Sequence, residues 1–215
     1  MTRVSEPRPS RTRSNAPESG HPTSKVRANF AKEYEELESL IALTPETATV
    51  KGMFLSSFLE SLDRGGYARP TEQRFLSFKD YPLRVFMQLM LEAISTAWPT
   101  LPPTAGLRRL GQGAYPTLAE SVVGRVLFSV AGRNFGTALQ LTEKAYRVSL
   151  NPGVARLASL TEKTAVLEMR DIWNFADCYQ VGVMEGAMVA YRVKGEVRAQ
   201  KLSRPCDVNL HLRWE

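Results

Sequence analysis

Two cysteines, Cys178 and Cys206, and two histidines, His21 and His211, are the residues of this chain best suited to metal binding or nucleophilic chemistry. They do not form a zinc set. A structural zinc takes four Cys or His ligands at short spacings, and no such spacing occurs here. His21 lies in a polar N-terminal stretch, and His211 lies on the polar phase of the last strand candidate. No histidine falls on the helical segments, so a histidine-ligated haem is not expected there. Cys178 is a candidate nucleophile if it occupies the first turn of a helix, where the dipole lowers a thiol pKa. The alternative is a small core residue. Asp171, Asp177 and Glu185 are carboxylates near the same helix, and acid–base work by them requires a pocket. Arg108, Arg109, Arg125, Arg133 and Arg147 either converge on an anion or lie solvated on helix faces. Neither a Gly-x-Ser-x-Gly elbow nor a Walker A loop is present. Gly111-Gln112-Gly113 is half of a dinucleotide fingerprint, but no strand precedes it and Pro116 occupies the third glycine's place.

Helices come first among the elements that must position these groups. Residues 30–43 form an amphipathic piece, either a helix or a lead-in strand, ended at Pro45. Met53, Leu55, Phe58, Leu59 and Leu62 recur at helical spacing up to Gly65-Gly66. Residues 67–79 read as a loop. Asp80 is the expected N-cap of a helix running to Trp98, with a polar stripe of Arg84, Gln88 and Glu92 opposite Phe86, Met90 and Ile94. Pro102-Pro103 opens a helix that Gly106, Gly111 and Gly113 should keep short. Pro116-Thr117 opens another, with Val122, Val123, Val126, Leu127 and Val130 inward and Gly132 as its stop. Asn134 caps a third, stopped by Asn151-Pro152-Gly153.

The apolar period then changes from 3.6 to 2. Residues 154–160 and 165–170 read as paired strands, followed by a helix from Asn174 to Arg192 and strands over 196–202 and 207–214. In the last strand Val208, Leu210, Leu212 and Trp214 alternate with Asn209, His211 and Arg213, a half-buried pattern. The expected fold is α+β: an N-terminal helical bundle followed by a β-β-α-β-β antiparallel sheet unit.

The expected domain organisation is a disordered basic tail over 1–28 and a single α+β domain over 29–215. The tail holds Arg3, Arg8, Arg11, Arg13, Lys25 and Arg27 against Glu6 and Glu18, which accounts for most of the chain's net charge of +6. A basic tail can touch nucleic acid or anionic lipid, or serve as a solvated linker. With 43% hydrophobic residues the remainder can build a core. Two thiols, no signal-peptide pattern and no apolar run of ~20 residues lead to an expected cytoplasmic location.

The helix over 174–192 has the most distinctive surface. Cys178, Gly182, Gly186 and Ala190, four apart, make a ridge of small side chains, and Phe175, Tyr179, Val183 and Ala187 make the next ridge. Two mid-helix glycines cost about 1 kcal/mol each relative to alanine, so close packing should compensate. The ridge is a dimer seam, a ligand-facing wall or an internal packing surface.

Several stretches carry a family resemblance. Val50-Lys51-Gly52-Met53-Phe54, Arg108-Arg109-Leu110-Gly111, Ala114-Tyr115-Pro116-Thr117, Gly124-Arg125-Val126-Leu127-Phe128, Tyr146-Arg147-Val148-Ser149-Leu150-Asn151-Pro152-Gly153 and Trp173-Asn174-Phe175-Ala176-Asp177-Cys178-Tyr179-Gln180-Val181-Gly182 resemble a paralogous family of uncharacterised proteins abundant in myxobacteria. The likeness spans roughly residues 35 to 215 and brings no functional residue with it. The end of the chain is distantly similar to the 4-vinyl reductase, haem-NO-binding and TRAPP fold group. That resemblance implies a non-enzymatic sensor or assembly module, often dimeric, with a hydrophobic cavity. The missing helical histidine departs from the haem branch.

The expected function is therefore a non-enzymatic regulatory or scaffolding module that senses a small apolar ligand. Its expected partners are a protein or a second copy of itself, with no metal or cofactor. One alternative is an enzyme using Cys178 or the nearby carboxylates. The other is weak nucleic-acid binding through the tail.

Overall fold

The computed structural model describes residues 29–120, 124–126, 129, 131–132 and 134–215. The expected tail, with His21, lies outside them, as do Arg133 and most of the Val122–Val130 stripe.

Tyr34, Leu37 and Ile41 form the buried face of helix α1 (Ala31–Leu43), so the first amphipathic piece is a helix. Thr44 closes it, its hydroxyl donating to the Leu40 carbonyl at 2.9 Å. Strand β1 (Thr49–Lys51) runs directly into α2 (Gly52–Arg64), whose buried stripe is Met53, Leu55, Phe58, Leu59 and Leu62. The chain leaves α2 through Gly66 at φ 72°, which glycine adopts without Cβ strain.

Asp80 is not a cap. It belongs to β2 (Asp80–Pro82), antiparallel to β1, and its carboxylate takes the Lys51 ammonium at 2.7 Å. Helix α3 (Leu83–Ala97) starts after Pro82 with no side-chain cap. Strand pairing with a segment 29 residues earlier overrides the local capping preference of aspartate. A third short strand, β3 (Leu150–Asn151), joins the other edge of β1 and completes a sheet ordered β2-β1-β3.

The glycines after Pro103 do not shorten a helix, and Pro116 does not open one. A single helix, α4 (Pro103–Glu120), runs through Gly106, Gly111, Gly113 and Pro116. Asn134 does cap α5 (Phe135–Ser149), its side chain accepting from the Thr137 amide at 2.9 Å.

The second half matches the expected unit. Strands β4 (Val154–Leu160) and β5 (Thr164–Arg170), helix α6 (Tyr179–Ala190), and strands β6 (Gly195–Lys201) and β7 (Val208–Trp214) follow in order. The strands form an antiparallel sheet ordered β4-β5-β7-β6. Val208, Leu210, Leu212 and Trp214 are buried and His211 and Arg213 exposed, as period 2 requires. The fold class is thus α+β.

Helix α6 begins five residues later than expected. Asn174–Cys178 is a compact turn in which Phe175 sits at φ 56°, a conformation that interrupts a helix. Burial of the Phe175 ring, fully enclosed in the core, holds it there. Helix α6 then packs along α4 and against β6, while α5 covers β4. One apolar core extends from Leu37 to Trp214.

Candidate functional site

The α4–α6 contact places the small-residue ridge. A Cβ on Gly182 would stand 2.8 Å from the Arg108 carbonyl carbon, and one on Gly186 3.1 Å from that of Gln112. Gly111 answers from α4, where a Cβ would meet the Val183 amide nitrogen at 2.8 Å. Three glycines therefore let two helix backbones touch. Cys178 is buried just before α6, and Ala190 is exposed at its far end.

The second ridge faces elsewhere. Tyr179 and Val183, with Gln180 and Met184, look onto a cavity of about 80 Å³. Its floor is Val50 of β1 and Leu150 of β3, and α2, α3, α4 and α5 complete the wall. Thr142, Ala145, Tyr146 and Ser149 reach it from one face of α5 at i, i+3, i+4 and i+7 spacing. No Asp, Glu, Lys, Arg, His or Cys is among its lining residues.

The wall is apolar with a few placed polar groups. The Tyr146 hydroxyl donates to Gln180 Oε1, linking α5 to α6. The Phe86 and Tyr179 rings meet edge to face, 6.4 Å apart. Burial pushes the Tyr146 and Tyr179 phenols above their ordinary value, and burial plus a hydrogen bond with Tyr191 does the same to Tyr115. All three stay neutral hydroxyls at physiological pH. Asn174 is 3% exposed and lines the cavity, and its Oδ1 has no hydrogen-bond partner. An unpaired buried carbonyl costs about 1–3 kcal/mol.

The other candidates lie outside the cavity. Burial raises the Cys178 thiol well above its ordinary value, and the neighbouring Asp177 charge adds to this; the Tyr179 amide opposes them. The expected helix-terminus activation is thus overridden by burial. Asp177 pairs with Lys201 at 2.5 Å, Asp171 with Arg204 at 2.5 Å, and Glu185 with Arg108 and Gln112. Asp171, Cys206 and Asp207 place their ligand atoms within 4.8 Å of one another, but Arg204 already lies against both carboxylates. The described arginines of the set do not converge: Arg109 covers the Trp98 ring, Arg125 donates to the Glu120 carbonyl, and Arg147 pairs with Glu143. His211 is exposed beside Gln200.

A hydrophobic cavity was implied by resemblance, but sequence reading did not locate it, because it is lined from Val50 to Met184 by seven elements and a turn. Asn174 and Gln180 were its available signal, two amides that with Asp177 and Glu185 interrupt the apolar run 172–188.

Solved structures share this fold. A variant of the Fe(II) unliganded H-NOX protein from K. algicida matches with TM-score 0.53 and 15% identity, over 77% of this chain and 96% of that one. An oxygen-binding H-NOX domain related to soluble guanylate cyclases, in its oxygen complex, matches with TM-score 0.53 and 13% identity, over 77% and 95%. A third, solved to probe the function of heme distortion in the H-NOX family, gives 0.51 and 13%, over 77% and 94%. At such identities the likeness is one of fold. No curated protein matches the sequence. The family model described as "Protein of unknown function (DUF2378)" matches residues 43–215, and the chain belongs to that family.

Proposed function

We propose that this chain is a non-enzymatic sensing module. A small, mainly apolar molecule occupies the cavity, and occupancy is passed to a protein partner or to a second copy of the chain, in the cytoplasm. The observation that carries this reading is the cavity itself: lined mainly by helices, largely apolar, free of charged side chains, and fitted with a few polar groups. Small-molecule sites have that composition. Fold supports it too, since the solved neighbours include an oxygen-binding domain. Two free thiols agree with a reducing compartment. No helix among the described residues is long and apolar enough to cross a membrane.

The H-NOX likeness raises the question of haem, and the residues here do not fit it. The wall offers no histidine or cysteine as axial ligand and no arginine or lysine for the propionates. Its tyrosines are held as neutral phenols. A space of about 80 Å³ is also well below the roughly 300–1,000 Å³ of sites for drug-sized ligands. The proposed ligand is a molecule of a few heavy atoms, and no reaction is assigned to it.

Xenon tests the cavity without prejudging the ligand, because dry apolar cavities take it up. Under xenon pressure, the methyl resonances of Val183, Met184 and Leu118 should shift in a saturable way. Ala145→Leu, which fills the space, should remove the response while the protein stays folded. Unperturbed methyls in the wild-type protein would sink the proposal.

A further inference from the structure

We infer that the turn over residues 74–79 contacts an anionic membrane surface. Leu76 and Phe78 enter the apolar edge of the bilayer, and Arg74 and Lys79 meet its headgroups. This goes beyond the cavity reading and does not depend on it.

Leu76 is 68% exposed and Phe78 is 75% exposed, two positions apart on one turn. A single exposed apolar side chain is ordinary, whereas large ones gathered on one projection suit a contact surface. The backbone holds this projection firmly. Phe75 is buried, and its ring meets the Tyr81 ring edge to face at 5.0 Å. The Tyr81 hydroxyl accepts from the Leu76 amide at 2.9 Å, and the Lys79 amide donates to the Leu76 carbonyl at 3.0 Å. The Lys79 and Ser77 carbonyls accept from the Gly52 and Met53 amides at 2.9 and 3.0 Å, which satisfies two free donors of the first turn of α2. A Cβ at Gly52 would stand 2.9 Å from the Leu76 carbonyl carbon, so glycine is what lets the turn lie this close. The backbone is therefore ordered before any contact is made, and binding does not have to order it.

Charge selects the occupant. Arg74 and Lys79 bracket the two apolar side chains, both are exposed, and no carboxylate lies between them. Beyond them, Asp80 is met by Lys51 at 2.7 Å, and Glu72 attracts Arg69. Apolar side chains flanked by long cationic ones match an apolar layer beneath anionic headgroups. Residues 1–28 of the same chain add six cations against two carboxylates. Membrane attachment is firmer when an apolar and a basic signal are combined.

Vesicle co-sedimentation of the full chain makes the test. The vesicles are an equal mixture of phosphatidylglycerol and phosphatidylcholine, with pure phosphatidylcholine as the neutral comparison. Wild-type protein should pellet with the anionic vesicles, and less so as salt rises above about 0.1 M. Joint Leu76→Ser and Phe78→Ser substitution should weaken that binding about tenfold or more. Both side chains are exposed, so the urea midpoint should not move. In an independent measurement, Phe78→Trp should add a fluorescence component that shifts to the blue on anionic vesicles. Wild-type protein that stays in the supernatant with anionic vesicles overturns the inference, as it would if a protein partner covers the turn. Wild-type binding by the doubly substituted protein overturns it too, because the basic tail alone would then make the contact.

Discussion

Gly182 of α6 lies so close to Arg108 of α4 that a Cβ at Gly182 would overlap the Arg108 carbonyl oxygen. The neighbour is backbone in mid-helix and cannot rotate aside. Gly182→Ala should therefore destabilise the fold by about 1–3 kcal/mol or more, although alanine is the better helix former by roughly 1 kcal/mol. Urea unfolding measures it. A stabilised Gly182→Ala would mean the helices are not in backbone contact.

Tyr146 and Gln180 form a pair that single and double variants can dissect. Tyr146→Phe removes the donor and strands Gln180 Oε1 in the interior, at a cost of about 1–3 kcal/mol. Combining it with Gln180→Leu should recover part of that loss, since no polar atom is then left unpaired. Additive losses in the double variant would contradict the hydrogen bond.

Both thiols are raised by burial, Cys206 to about 11 and Cys178 in the same direction. Neither should react with a thiol reagent at pH 8 while native, and both should react in denaturant. The folded state favours the protonated thiols. Their contribution to stability is complete below the unfolded thiol value near 9.0 and declines as pH rises toward 11. Rapid native-state labelling of Cys178 would reopen the nucleophile alternative.

Glu185 crosses from α6 to α4. Burial works against its charge, but hydrogen bonds from Arg108 and Gln112 outweigh it and hold the carboxyl below its ordinary value. Its contribution is present above pH 4.5, the ordinary value, and lost as pH falls through the lowered one. Half-exposed Arg108 limits the pair to about 1 kcal/mol or less. Glu185→Gln should therefore be slightly less stable than wild type at pH 7, and the difference should shrink as the pH falls through the lowered value.

Elements with local causes were legible in the sequence. The alternation of Val208, Leu210, Leu212 and Trp214 needs only a neighbouring strand, and Asn134 caps the helix that follows it. The four-stranded unit was readable for the same reason. Helix α4 was not, because Gly106, Gly111, Gly113 and Pro116 are helix breakers by propensity. Gly111 instead lies against the backbone of α6, a fact that exists only once the helices meet. Asp80 misled similarly: its partner Lys51 is distant in sequence, and the strands involved are too short to show a period. At the site, the ridge of Tyr179 and Val183 was noticed. The cavity itself required the third dimension.

The three-stranded sheet has a mechanical consequence. Helix α2 starts where β1 ends, α3 starts where β2 ends, and β3 begins where α5 stops. Three walls of the cavity are therefore slats fastened at one end to a common bar, and Val50 and Leu150 belong to that bar. The fastened ends cannot part without breaking the ladder.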